Sequence, residues 1–107
     1  MELPTLEYIK KLADGNTAFE NKLLETMKAE FQEEKETYFL LLANGKHEEV
    51  SNIVHKIKHK IALLSLEKGY EIATNYEEDI KKQNTNLQLK FQEILNSMTD
   101  FLNQINQ

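Results

Sequence analysis

The segment His55-Lys56-Ile57-Lys58-His59 carries the side chains of this sequence that are best suited to chemistry. The first histidine has a lysine three residues later and a second histidine four residues later, spacings that bring side chains together on one helical face. A neutral imidazole is a nucleophile near neutral pH and needs no separate activating base. If it takes up a phosphoryl group, a lysine one turn away can offset the added negative charge. The segment therefore predicts phosphoryl acceptance on His55, with Lys58 as the charge partner.

Hydrolysis of such a phosphoryl group is not favoured, because no carboxylate base that would position a water is evident in the local sequence. The pair would therefore be poor at hydrolysis. That property would suit a carrier, which must keep its phosphate until a partner arrives.

The helix that must position His55 is amphipathic, and its apolar stripe indicates which way the histidine faces. On a helical wheel, successive residues are about 100° apart, and the direction of Val50 is taken as zero. The apolar residues of the stripe all lie within about 60° of Val50. These positions are Val50, Ile53, Val54, Ile57, Ile61 and Leu64. On the same wheel His55 lies roughly 140° and His59 about 180° away. The stripe is typical of a helix packed on a core, so His55 is predicted to face solvent.

The other elements are marked by scarce chain breakers in a sequence rich in Leu, Glu, Lys and Gln, a composition that favours an all-α fold. Apolar residues recur at three- and four-residue steps in five segments. We expect a short helix from Pro4 to Leu12. A long second helix should begin at a capping box formed by Thr17 and Glu20 and end at Asn44-Gly45. Three more helices are expected over about 46–66, 69–80 and 87–105. Residues 1–107 are thus predicted to form one all-α domain, an antiparallel four-helix bundle with a short additional N-terminal helix.

The bulk composition narrows the class of partner and the compartment. The 107-residue chain has a net charge of −5, which argues against a general nucleic-acid binder. Cysteine is absent, so thiolate chemistry and disulfides are excluded, and all 13 basic residues are lysines. No apolar run approaches the roughly 20 residues of a membrane span, and the N-terminus lacks a signal peptide's apolar stretch. We therefore expect a cytoplasmic protein without nucleic-acid or membrane contact. A monomer is the default expectation for a helical bundle with four polar outer faces.

The run from Ile53 to Ser65 resembles the phosphoacceptor motif of histidine phosphotransfer (HPt) domains, which reads His-x-Leu/Ile-Lys-Gly followed after four residues by Leu-Gly. The matching positions are His55 for the phosphorylated histidine, Ile57 for the apolar residue, Lys58 for the lysine and Leu64 for the leucine. His59 and Ser65 stand where the family has glycine. The resemblance covers essentially the whole chain, because residues 69–77 and 13–16 also resemble the family's next helix and its preceding turn.

This resemblance implies a phosphoryl carrier of a two-component phosphorelay, a phosphotransfer intermediate rather than a turnover enzyme. A nitrogen of His55, the exposed Nε2, would attack the aspartyl phosphate of a receiver domain, and the phosphate would pass to a second receiver. The implied partners are response regulator receiver domains, or the hybrid sensor histidine kinase from which such a domain can be cut. The resemblance implies no cofactor in this chain, with Mg²⁺ expected on the receiver.

The docking surface implied for a receiver surrounds His55. His59 and Ala62 would line the approach, with Ser51 and Asn52 at its rim. Leu63 lies about 220° round the wheel, outside the core stripe, and is expected to be an exposed part of this surface. The family's glycine leaves room for the receiver's loops, whereas His59 adds bulk and a titratable group. It can swing aside, hydrogen-bond His55 or the phosphate, or impair transfer.

Two other interpretations stay open. Histidines at i and i+4, here His55 and His59, have the spacing of zinc-binding helices, although the sequence shows no further ligand beside them. The chain can also be a non-catalytic helical interaction module, a degenerate relative of HPt domains whose histidines and lysines form a solvated face. Lys56 and Lys60 are expected to be ordinary solvated residues under either interpretation.

Overall fold

The computed structural model describes residues 2–105, which form five α-helices and no strand. The helices are α1 (Glu7–Ala13), α2 (Thr17–Ala43), α3 (His47–Leu63), α4 (Glu67–Lys81) and α5 (Gln88–Ile105). α3 packs against α2 and α4, α4 packs against α5, and α1 packs against α2. The predicted all-α class is therefore confirmed. None of the helices described is long and apolar enough to cross a membrane.

The core stripe of α3 is buried as predicted. Val50, Val54, Ile57 and Ile61 have no exposed surface, and Ile53 retains 8%. Facing side chains from α2, α4 and α5 complete the core, with Tyr38, Tyr76 and Phe91 among its largest members. The hydroxyls of Tyr38 and Tyr76 lie 2.8 Å apart, so each buried phenol has a hydrogen-bonding partner. This packing fixes the rotation of α3 and hence the direction in which His55 points.

The beginnings of α1 and α2 differ from the prediction. Asn16, not Thr17, is the N-cap of α2, and its Oδ1 accepts a 2.9 Å hydrogen bond from the backbone N–H of Phe19. Asn and Thr are both good caps, so the sequence alone did not distinguish neighbouring candidates. α1 begins at Glu7, after Pro4, since the preceding residues are not helical. The predicted stop at Asn44-Gly45 is confirmed, with Gly45 at a left-handed φ of 68°.

The N-terminal segment that precedes α1, residues 2–5, is tied to the turn between α3 and α4. The Glu2 carboxylate accepts hydrogen bonds of 3.0 Å from the backbone N–H groups of Lys68 and Gly69, in the first turn of α4. The backbone N–H of Thr5 donates to the carbonyl of Leu64 at 3.0 Å. A carboxylate at this end of a helix also complements the helix dipole. The segment thereby anchors the start of the helix that brings Glu77 to the candidate site.

Candidate functional site

His55 lies on the exposed face of α3, as predicted, and its imidazole contacts a carboxylate from the neighbouring helix. The side chain is 53% exposed, and its Nδ1 lies 3.1 Å from Oε2 of Glu77 on α4. The ring is therefore held on one side by the protein while the other side is open to solvent. This is the arrangement expected of a histidine that must react with a second molecule.

Glu77 belongs to the candidate site by its contacts, although the motif did not assign it a role. Its side chain is only 14% exposed, and Oε1 lies 3.0 Å from Nζ of Lys58. Burial on its own would raise the pKa of the Glu77 carboxyl, but Lys58 and, to a smaller extent, His55 outweigh it. The net result is a pKa below the ordinary value for glutamate, so the carboxyl is ionised at neutral pH.

The ionised carboxylate decides the tautomer of His55. A carboxylate without a proton can only accept hydrogen bonds, so the proton of a neutral imidazole must lie on Nδ1, which faces Glu77. Nε2 then carries the lone pair. A histidine in this tautomer is a nucleophile at Nε2, the nitrogen farther from the helix.

Lys58 belongs to the site, but its ammonium contacts Glu77, whereas the sequence placed it directly beside His55. It is buried, with 8% of its surface exposed, and its ammonium group contacts Glu77. The same Nζ lies 5.3 Å from the centre of the Tyr70 ring, within the range of a cation–π interaction. Lys58 and His55 therefore meet through a shared carboxylate, with the lysine on the α4 side of the helix.

Ser51 was expected at the rim of the docking surface, and that expectation is wrong. It is 1% exposed, and its Oγ donates a 2.8 Å hydrogen bond to the backbone carbonyl of Glu77. Ser51, His55 and Lys58 are spaced i, i+4 and i+7, which places them on one stripe of α3. All three contact the same residue of α4. The stripe that faces Glu77 is thus polar, and it borders the apolar stripe that faces the core.

The other predicted site residues differ in exposure. His59 and Asn52 are exposed and Ala62 is half-buried. The His59 ring lies edge-on to that of His55, with 5.1 Å between centroids and an interplanar angle of 89°. Leu63 is half-buried against the core rather than exposed, because neighbouring helices cover the side of α3 that the wheel of one helix left open. It is therefore not the exposed docking residue we expected.

Lys60 is also more enclosed than expected. Its side chain is 12% exposed, and Nζ lies 3.1 Å from Oε1 of Glu30 and 3.0 Å from Oε2 of Glu34, both on α2. Burial would lower the pKa of Lys60, but the hydrogen bonds that its ammonium donates to the two glutamates, with Glu34 first, raise it above the ordinary value. α3 is thus joined by lysine–carboxylate ion pairs to α4 on one side and to α2 on the other.

One signal in the sequence pointed to Glu77. It follows Ala73 by four residues and Gly69 by eight, so it lies in register with two small residues that are buried. A carboxylate in such a register must face a neighbouring helix, where burial requires a charged partner. Among residues 2–105, no group of three or more histidine, cysteine or acidic side chains is placed to hold a metal ion.

Comparison with known proteins adds no family to this description. No family model matches the chain, and no curated protein or solved structure matches it. The function is therefore argued from the geometry around His55.

Proposed function

We propose that the chain is a phosphoryl carrier of the HPt type. It accepts a phosphoryl group on Nε2 of His55 from the aspartyl phosphate of a receiver domain and passes it to another receiver. The observation that carries this proposal is the exposed imidazole whose Nδ1 contacts a largely buried, ionised carboxylate. That contact prepares Nε2 for attack without a separate base.

The proposed transfer balances without a further reactant. The lone pair of Nε2 forms a bond to phosphorus while the bond from phosphorus to the aspartate oxygen breaks, and the aspartate leaves as a carboxylate. The proton on Nδ1 stays in place, so the imidazole ring becomes positively charged. Glu77, with Oε2 3.1 Å from Nδ1, stabilises that charge. Alignment and charge stabilisation supply the catalysis, as in other phosphoryl transfers.

Lys58 supports the reaction from the α4 side. In the resting protein its ammonium neutralises Glu77, which keeps the carboxylate ionised in a largely buried position. A phosphoryl dianion on His55 would compete with Glu77 for that ammonium, and the flexible lysine side chain allows it to interact with either. Lys58 is thus a positioning residue before transfer and a charge partner after it.

The arrangement of the helices supports the same proposal. We infer that α2–α5 form an antiparallel four-helix bundle with α1 as the additional N-terminal helix, the layout that the resemblance to HPt domains implies. In this layout α3 is held by ion pairs from α2 and α4, and its outer face carries His55, His59 and Asn52. A receiver domain is the partner proposed for this face, with Mg²⁺ held by the receiver.

The proposal is tested by incubating the protein with a phosphorylated receiver and measuring transferred label that is acid-labile and base-stable, the signature of phosphohistidine. The wild-type protein should become labelled and the His55→Gln variant should not. The matched control is His47→Gln, which makes the same substitution on the same helix at its first residue. Label in His55→Gln equal to that in the wild type would overturn the assignment.

A further inference from the structure

We propose that His55 and His59 together form a binding site for a transition-metal dication of the Zn²⁺ class, and that metal binding blocks Nε2 of His55. The block on phosphoryl transfer rests on the proposed function, whereas the metal site itself does not. Metal binding and phosphoryl acceptance would compete for the same nitrogen. His59, which stands where the HPt motif has glycine, would therefore make phosphoryl transfer to His55 sensitive to metal ions.

The two imidazoles have the placement that a shared metal ion requires. They lie one turn apart on the exposed face of α3, and their ring centroids are 5.1 Å apart. Histidines at i and i+4 on one helical face are a recurrent pair of zinc ligands. Because the His59 side chain is exposed, its ring can rotate to point a nitrogen toward the ion that His55 binds.

Glu77 gives His55 the outer contact that metal-binding histidines usually have. A histidine ligand generally donates its second ring N–H to a carboxylate or carbonyl, which fixes both tautomer and ring orientation. Here Nδ1 of His55 already faces Oε2 of Glu77 at 3.1 Å. Nε2 is thus available as a ligand before any metal arrives, and only His59 has to reorient.

The charges around the pair do not oppose a dication. Of the three lysines interleaved with the histidines, Lys58 is paired with Glu77, and Lys60 is paired with Glu30 and Glu34. Only Lys56 of that group is exposed on the helix. The local charge is therefore much less positive than the sequence of alternating lysines and histidines indicates.

The ligand set also selects the metal. Two imidazoles favour Zn²⁺, Ni²⁺ or Cu²⁺ over Mg²⁺ and Ca²⁺, which prefer oxygen ligands. Water would complete the coordination, since the pair supplies two of the four positions of a tetrahedral zinc ion. The Mg²⁺ that a receiver domain uses would consequently not occupy this site.

Binding is measured by calorimetric titration of the untagged full chain with ZnCl₂. We expect one zinc ion per wild-type chain and at least tenfold weaker binding in His55→Gln and in His59→Gln. His47→Gln, the matched control on the same helix, should bind as the wild type does. Circular dichroism establishes that each variant is folded. Absence of zinc binding by the wild type, or unchanged binding in His59→Gln, would overturn the proposal.

The block at Nε2 is measured separately, through acylation of His55 by diethyl pyrocarbonate followed by mass spectrometry. Zinc should slow acylation of His55 at least fivefold in the wild type and leave it unchanged in His59→Gln. Equal rates with and without zinc in the wild type would contradict the block. This measurement needs no receiver domain. A chain that binds zinc through both histidines but accepts no phosphate would uphold the metal site and overturn the carrier function.

Discussion

Removal of the Glu77 carboxylate should destabilise the protein more than any loss at the exposed face of α3. Glu77→Ala leaves the Lys58 ammonium without its counter-ion while the lysine side chain is only 10% exposed. Breaking a fully buried pair in this way costs about 3–5 kcal/mol. In the variant Lys58 can either move toward solvent or stay by the Tyr70 ring, whose centre now lies 5.3 Å from its ammonium, so we expect a smaller loss of about 2–3 kcal/mol.

Urea unfolding followed by circular dichroism measures this loss, with an unchanged m value as the sign that the unfolded state is the same. The corresponding fall in Tm is roughly 10–20 °C for a domain of this size. Glu78→Ala is the matched control, because this neighbouring carboxylate is 63% exposed and lies 3.6 Å from the ammonium of Lys81. The control should change stability by less than about 0.5 kcal/mol. Equal effects of the two substitutions would refute the buried ion pair.

The same substitution should change the tautomer of His55. In the wild type the ¹⁵N shifts of the ring should show the proton on Nδ1, which faces Glu77. A hydrogen bond to a charged group contributes about 1.5–3 kcal/mol when buried, and about 1 kcal/mol is a reasonable value for a half-exposed ring. The ratio of tautomers should therefore shift about fivefold toward Nε2–H in Glu77→Ala. Glu77→Gln, whose amide oxygen still accepts a hydrogen bond, should shift it less.

The contribution of Glu77 to the unfolding free energy should depend on pH, because the pKa of its carboxyl is lowered in the folded protein. A carboxyl with a lower pKa in the folded state than in the unfolded state contributes stability that is present above the unfolded pKa. That contribution is lost as the pH falls through the folded pKa. The difference in unfolding free energy between wild type and Glu77→Gln should thus be constant above about pH 5 and shrink below about pH 4. A difference that grows on acidification would contradict the ion pair.

Three further perturbations test other parts of the molecule. His59→Gly should accelerate phosphoryl transfer from a receiver, because it removes the ring that lies 5.1 Å from that of His55. The glycine within the helix should lower the unfolding free energy by about 1 kcal/mol. A slower transfer would mean that His59 takes part in the chemistry. Tyr38→Phe should lower the unfolding free energy, measured in urea, by about 1–3 kcal/mol. The loss should exceed that of Tyr76→Phe, because the Tyr38 hydroxyl also accepts a 3.4 Å hydrogen bond from Gln92. Equal losses would contradict this asymmetry. Glu2→Gln should lower unfolding free energy by about 0.5–1 kcal/mol through the weakened cap of α4, and an unchanged melting curve would show that this contact contributes nothing.

Much of the fold could be predicted because the relevant signals are local. The apolar stripe from Val50 to Leu64 depends only on the spacing along one helix, and all of its members are buried. Gly45 marks the end of α2 because its left-handed φ is easily reached by glycine. The solvent-facing direction of His55 follows from the same wheel. Each of these predictions needs one helix and no knowledge of its neighbours.

The contacts of the site could not be predicted in the same way. A helical wheel gives directions around one axis, but it does not show which residue of the next helix lies opposite. Lys58 and Lys60 fall on the flanks of the core stripe, where burial depends on whether α4 and α2 present a carboxylate. The buried hydroxyl of Ser51 is satisfied because the backbone carbonyl of Glu77 accepts its hydrogen bond. These pairings arise from the rotation and register of two helices at once.

The dependence of three α3 residues on Glu77 has a consequence for how the site can change during evolution or by design. Ser51, Lys58 and His55 each contact this one residue, so the register of α3 on α4 and the orientation of the His55 ring are set together. A substitution at any of these three residues therefore changes both the stability of the α3–α4 contact and the position of the His55 ring. His59 lies outside it, exposed beside His55. Under the proposed function, partner specificity is therefore most readily altered at His59, where a change leaves the supporting contacts intact.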